Sequence, residues 1–130
     1  MTEIWDVLVV DDEPVVRDGI RLLLGAAGLR VATVADAGSA LAHPAAAGCR
    51  LVLCDLMLPD LSGIDLLEKM RAARPDLPVV MMTGYGTPEN TARAAQAGVS
   101  DVLNKPFTES ELLTVVWRAL RGEGDAPGSE

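Results

Sequence analysis

The chain has 130 residues, 49% of them hydrophobic, and a formal charge of −8. That length is expected to carry one ordinary core with no room for a second full module. An acidic balance without a long Lys/Arg cluster argues against direct nucleic-acid binding, which depends on neutralising phosphates with cations.

A single histidine, His43, excludes a His-rich metal site, and Cys49 and Cys54 lack the CxxC spacing of zinc clusters. No apolar run approaches the roughly 18 residues of a transmembrane helix. Met1-Thr2-Glu3-Ile4 lacks the basic and then apolar stretch of a signal peptide. The expectation is a protein of the reducing cytoplasm that has no contact with membrane.

In chain order, Ile4–Val10 reads as a first strand, with Asp11 and Asp12 directly after it. Pro14 opens a helix in which Val16, Ile20, Leu23, Leu24 and Ala27 share a face, and Gly28 stops it. Leu29–Val34 is a second strand. Asp36 to Gly48 has helical spacing interrupted by Pro44. Leu51–Cys54 is a third strand, followed by Asp55, and Ser62 with Asp65 has capping-box spacing at the next helix. Val79–Met82 is a fourth strand, followed by Thr83, and Thr87-Pro88 starts another helix. Val102–Leu103 is the fifth, followed by Lys105-Pro106. Thr108 and Glu111 cap a last helix whose apolar stripe reads Leu113, Val116, Trp117 and Leu120.

Five strands alternating with five helices predict an α/β doubly wound fold. Its five-stranded parallel sheet is covered on both faces and takes the flavodoxin-like order 2-1-3-4-5. Such sheets bind ligands outside the carboxyl ends of their strands. Asp11, Asp12, Asp55, Thr83 and Lys105 all fall there. Carboxylates converging on one rim repel unless compensated, and a hard cation such as Mg²⁺ compensates them well. Lys105 adds a mobile point charge suited to a phosphoryl oxygen, and Thr83 adds a hydroxyl donor. The set suits phosphoryl transfer, where positioning and charge neutralisation supply most of the catalysis. Asp55, alone at its strand end opposite the Asp11–Asp12 pair, is the candidate nucleophile, forming an acyl phosphate.

Val-Val-Asp11-Asp12-Glu13-Pro14, Asp55-Leu-Met-Leu-Pro59-Asp-Leu-Ser-Gly63, Met-Thr83-Gly-Tyr85-Gly and Leu-Asn-Lys105-Pro106-Phe107 stand in this order along the chain. Together they resemble a bacterial two-component response-regulator receiver of the chemotaxis-regulator type, from about residue 4 to 121. The resemblance implies that Asp55 is the phosphoacceptor and that Asp12 binds Mg²⁺ directly, with Asp11 acting mainly through water. It implies a further ligand in the backbone carbonyl of Met57, phosphoryl contacts from Thr83 and Lys105, and a cis Lys105–Pro106 bond. The implied donor is a histidine kinase or histidine phosphotransfer protein. The implied output is contact with a downstream protein through the fourth helix, fifth strand and fifth helix. The implied catalysis is limited to the domain's own phosphorylation and dephosphorylation. A receiver domain over 1–121 and a flexible acidic tail over 122–130 complete the expected organisation, since the tail cannot bury enough apolar surface to order itself.

One position departs from the family. Val102 stands where receivers often carry Tyr or Phe, so a rotating ring cannot relay the signal from Thr83 here. The alternative function is therefore a degenerate receiver acting as a constitutive protein-binding module. An aspartyl phosphatase would place a second Asp where Met57 stands, and a flavin or nucleotide binder would show a GxGxxG or P-loop sequence. Glu13 reads as a helix-start acid, Tyr85 as either a lid over the site beside Met57 or an exposed loop aromatic, and Cys54 as a core residue. Trp5 and Trp117 read as packing or partner-surface residues. Ala92, Ala94, Ala95 and Ala97 make the fourth helix small-sided.

Overall fold

A computed structural model describes residues 4–84 and 87–122. Runs of Val, Leu and Met form β1 (Val7–Val10), β2 (Val31–Val34), β3 (Leu51–Asp55), β4 (Val79–Thr83) and β5 (Asp101–Asn104). All pair in parallel, in the order β2-β1-β3-β4-β5. Every residue of β1, β3 and β4 is buried, as a sheet covered on both faces requires.

Side-chain alternation divides the core in two. Leu8, Val10, Val52, Cys54 and Met81 face α2 (Ala37–Ala42), α3 (Ala45–Gly48), α4 (Gly63–Ala73) and α5 (Pro88–Gln96). Val7, Val9, Leu53, Val80 and Met82 face α1 (Pro14–Ala26) and α6 (Glu109–Leu120). The start signals act as the sequence suggests. Pro14 opens α1, the Ser62 and Thr87 hydroxyls accept from the Asp65 and Asn90 N–H groups, and Thr108 and Glu111 form a complete capping box. Gly28 follows α1 at φ +92°, a conformation that costs glycine little. No helix among the described residues is long and apolar enough to cross a membrane.

Two local expectations change. The segment from Asp36 to Gly48 is two helices, giving six among the described residues. Pro44 offers no N–H, and its ring pushes His43 into extended backbone at φ −78°, ψ 139°, which ends α2. In α6 the buried stripe is Leu112, Val115, Val116 and Ala119; Leu113 and Leu120 lie at its margin, and Trp117 is 37% exposed. The expected stripe, Leu113, Val116, Trp117 and Leu120, shares Val116 with the buried one, and the position of the sheet leaves Trp117 facing outward. Residues 123–130, which hold most of the expected tail, lie outside the described residues.

The two stripes are separable by mutation. Leu112→Ala is expected to cost about 2–5 kcal/mol, as for a fully buried leucine. Trp117→Ala is expected to cost about 1 kcal/mol or less, since its side chain keeps solvent contact. Urea unfolding midpoints of the two variants check the assignment.

Candidate functional site

Strand register builds the site. Val10 of β1 pairs with Cys54 of β3, so Asp11 and Asp55, each one residue further on, emerge side by side at the carboxyl edge. Asp55 in turn pairs with Met82, and Thr83 pairs with Asn104, so Thr83 and Lys105 complete the same rim. Lys105 extends that pairing through its own N–H, which donates to the Thr83 carbonyl at 2.8 Å. The Lys105–Pro106 peptide bond is cis.

Asp11 is fully buried. Its N–H donates to the Val34 carbonyl at 3.1 Å, and its Oδ1 accepts from the Glu13 N–H at 2.8 Å. Arg17 closes over it from α1, donating to the Asp11 carbonyl at 2.8 Å. Asp55 Oδ1 accepts from the Met57 N–H at 3.1 Å. The loop beyond is pinned by a Met57–Ser62 bridge and by the Gly63 N–H, which donates to the Leu56 carbonyl at 2.7 Å. Only glycine fits at 63, because a Cβ would overlap the Asp55 carbonyl oxygen.

The Lys105 ammonium lies 2.6 Å from Asp11 Oδ2, 3.0 Å from Asp55 Oδ2 and 3.0 Å from Glu13 Oε1. Burial works against its charge, but hydrogen bonds to the three carboxylates outweigh burial and raise its pKa above the ordinary 10.5. Burial raises the Asp11 carboxyl above its usual range, with Lys105 and the Glu13 N–H opposing and the Asp55 charge reinforcing. Oxygens of Asp11, Asp12, Glu13 and Asp55 all lie within 4.8 Å of one another. A dense set of hard carboxylate oxygens with an open side suits Mg²⁺, which keeps waters and phosphoryl oxygens among its ligands. The open side is a cleft of about 820 Å³ that Asp12, Met57, Thr83 and Lys105 line, with Val15 and Phe107 continuing it along α1.

The structure thus brings Asp11, Asp12, Asp55, Thr83 and Lys105 to one rim, with Met57 beside them. Glu13 stands at the helix start as expected but makes no cap bond, and joins the cluster instead. It continues the Asp11-Asp12 acid run, which was the available signal. Cys54 points into the core, where burial pushes its thiol pKa up. Trp5 packs edge-on against His43 at 5.7 Å, with the Arg30 guanidinium 5.3 Å from its ring, and serves packing. Val102 is half-buried against the core on the α4 side. Tyr85 lies outside the described residues.

Comparison with known proteins points one way. Residues 7–117 match the response regulator receiver domain. The transcriptional regulatory protein FixJ of Bradyrhizobium diazoefficiens is 36% identical over 132 residues, covering 100% of this chain and 63% of that protein. The probable transcriptional regulatory protein TcrX of Mycobacterium tuberculosis is 37% identical over 118 residues, covering 91% of this chain and 50% of that one. The chain therefore spans only part of these relatives. Among solved structures, the receiver domain of NtrX from Brucella abortus superposes with a TM-score of 0.83 at 40% identity, covering 89% of this chain and 98% of that one. A CheY-like receiver domain protein from Methanospirillum hungatei gives 0.84 at 32% identity, covering 93% and 97%.

Removing the shared cation tests the electrostatics. A lysine whose folded pKa is raised contributes stability fully below its ordinary 10.5, lost as pH rises through the folded value, so at pH 7 it acts at full strength. Lys105→Ala is expected to destabilise the fold by about 1–3 kcal/mol at pH 7. The deficit should shrink as pH falls and Asp11 takes up a proton, because a raised carboxyl pKa favours the protonated folded state at lower pH. Chemical unfolding of both proteins between about pH 4 and 7, the roughly three units above the ordinary carboxylate values, checks the trend.

Proposed function

The chain belongs to the response-regulator receiver family, and we propose that within this signalling module Asp55 accepts a phosphoryl group from a phosphohistidine and so switches the domain between two states. The observation that carries this reading is the Lys105 ammonium, held 3.0 Å from Asp55 within a cluster of carboxylates at the sheet's carboxyl edge.

Asp11, Asp12, Asp55 and the Met57 carbonyl are the proposed holders of Mg²⁺, which when bound supplies charge neutralisation for the phosphoryl oxygens. The Met57 N–H orients Asp55 by holding Oδ1. A carboxylate oxygen of Asp55 attacks phosphorus in line, the P–N bond to the donor imidazole breaks, and that nitrogen keeps the bonding pair and takes a proton. Lys105 exchanges its bond to Asp55 Oδ2 for a phosphoryl oxygen, and the Thr83 hydroxyl donates to a second. Hydrolysis later returns the Asp55 carboxylate and releases inorganic phosphate.

The donor is a histidine kinase or a histidine phosphotransfer protein of the cytoplasm. Val15, 84% exposed at the cleft mouth, and Leu22, 65% exposed on the same helix, give such a donor an apolar footing. Output goes to a protein target through α5, β5 and α6. α5 is suited to shift because Ala94 is its one buried residue. With Val102 in place of an aromatic ring, the shift passes through the packing of α5 and not through a ring rotation. Residues 1–121 are the proposed switch, and 122–130 a tail outside it.

Incubation with acetyl phosphate and Mg²⁺ is expected to add one phosphoryl group by intact mass, and EDTA or Asp55→Asn to abolish the gain. Mg²⁺ at about a hundred times its Kd should stabilise the parent by roughly 2.7 kcal/mol, and Asp12→Ala by less at the same concentration. A protein that shows neither effect is instead a constitutive protein-binding module.

A further inference from the structure

We propose that Asp60 is a positioning residue for the Mg²⁺ site: its carboxylate latches the loop that carries Met57 to the connection that holds Asp11. The inference rests on the metal reading above and assigns a role to a residue outside the carboxylate cluster.

Asp60 lies in the loop between β3 and α4, yet its partners belong to α2. Its Oδ1 accepts from the Ala37 N–H at 3.0 Å and its Oδ2 from the Gly38 N–H at 2.9 Å. Those are orphan donors of a helix start, which need a partner from outside the helix. The helix's own cap, Asp36, takes only the next one, accepting from the Ser39 N–H at 2.7 Å. Asp60 Oδ1 also accepts from the Leu61 N–H at 3.1 Å, which aims the carboxylate outward from its loop.

Both ends of this latch lead to the carboxylate cluster. Along the Asp60 end, the chain runs back through Leu58 and Pro59 to Met57, whose N–H holds Asp55 Oδ1. Along the α2 end, it runs back from Ala37 to Val34, whose carbonyl accepts from the Asp11 N–H at 3.1 Å. That carboxylate therefore ties the segments that present Asp11 and Met57 to each other beyond the β1–β3 register. Both ligands move relative to each other if it is removed, while β1 and β3 stay paired. Mg²⁺ demands near-ideal octahedral geometry, so a looser separation weakens its binding before it weakens the fold.

The test compares the Mg²⁺ Kd, read from backbone amide shifts, in the parent, Asp60→Ala, Asp60→Asn and Asp36→Ala, with melting temperatures recorded without metal. Asp60→Ala is expected to raise the Kd about tenfold, the low end of what supporting groups contribute to metal sites. Asp60→Asn, which keeps one accepting oxygen, should fall between it and the parent. Asp36→Ala removes only the Ser39 cap bond, keeps both Asp60 bonds to the helix start, and should leave the Kd unchanged. Phosphorylation of Asp60→Ala by acetyl phosphate should slow at limiting Mg²⁺ and recover at saturation. A Kd for Asp60→Ala within about twofold of the parent overturns the proposal, as does an equal rise in Asp36→Ala, against the effect size expected of a supporting group. If the parent itself binds no Mg²⁺, the metal reading fails and this proposal with it.

Discussion

Carboxylates from Asp11, Glu13 and Asp55 reach a single ammonium, that of Lys105, and the geometry of the carboxyl edge follows from holding them there. Without a cation the acids repel, and the burial of Asp11 makes its charge more costly still. Lys105 is also partly buried, so the contacts are stronger than surface ion pairs and their desolvation is larger too. Such an arrangement is poor value as a source of net stability. It fits the proposed function, in which a cation and a phosphoryl group bring charges that complement those already present.

The opposite edge of the sheet is built on different terms. Asp6 accepts from the Arg30 N–H at 2.8 Å and meets the Arg50 guanidinium at 3.1 Å, tying together the segments that lead into β1, β2 and β3. Arg71 reaches from α4 to the Leu77 carbonyl at 3.1 Å and the Gly98 carbonyl at 2.8 Å, ahead of β4 and β5. Arg74 joins α4 to the carbonyls of Ala46 and Cys49, ahead of β3. Arginine donors here bond the carbonyls of the connections ahead of the strands, which makes this edge a staple. The chemistry is left to the carboxyl edge, where loops and helix starts present backbone N–H groups and acids.

Between the edges, helix anchoring is uneven. α4 buries Ile64, Leu66, Leu67 and Met70, and α6 buries Leu112, Val115, Val116 and Ala119. α5 buries Ala94 alone. A helix with so little apolar surface in the core has a low cost of displacement. It lies between β4, which ends in Thr83, and β5, which leads to Lys105. A change at the rim is thus adjacent to the element least held in place.

Much of this was legible in the chain itself. Alternation of apolar runs with capped helical segments determined the sheet, because buried parallel strands and amphipathic helices leave distinct periods in a sequence. Asp11, Asp12, Asp55, Thr83 and Lys105 could be named because each directly or nearly follows a strand, and strand ends share one edge in this fold. Other features were decided only in three dimensions. Two apolar stripes on α6 have the same period, and the sheet's position alone selects Leu112 over Trp117. Glu13 reads as a helix-start acid until Lys105, 92 residues away, is seen to reach it. No local pattern singles out Asp60, whose partners on α2 lie 22 and 23 residues earlier. Local pattern records what each segment needs to bury, whereas contacts between distant polar groups depend on where the packed core delivers them.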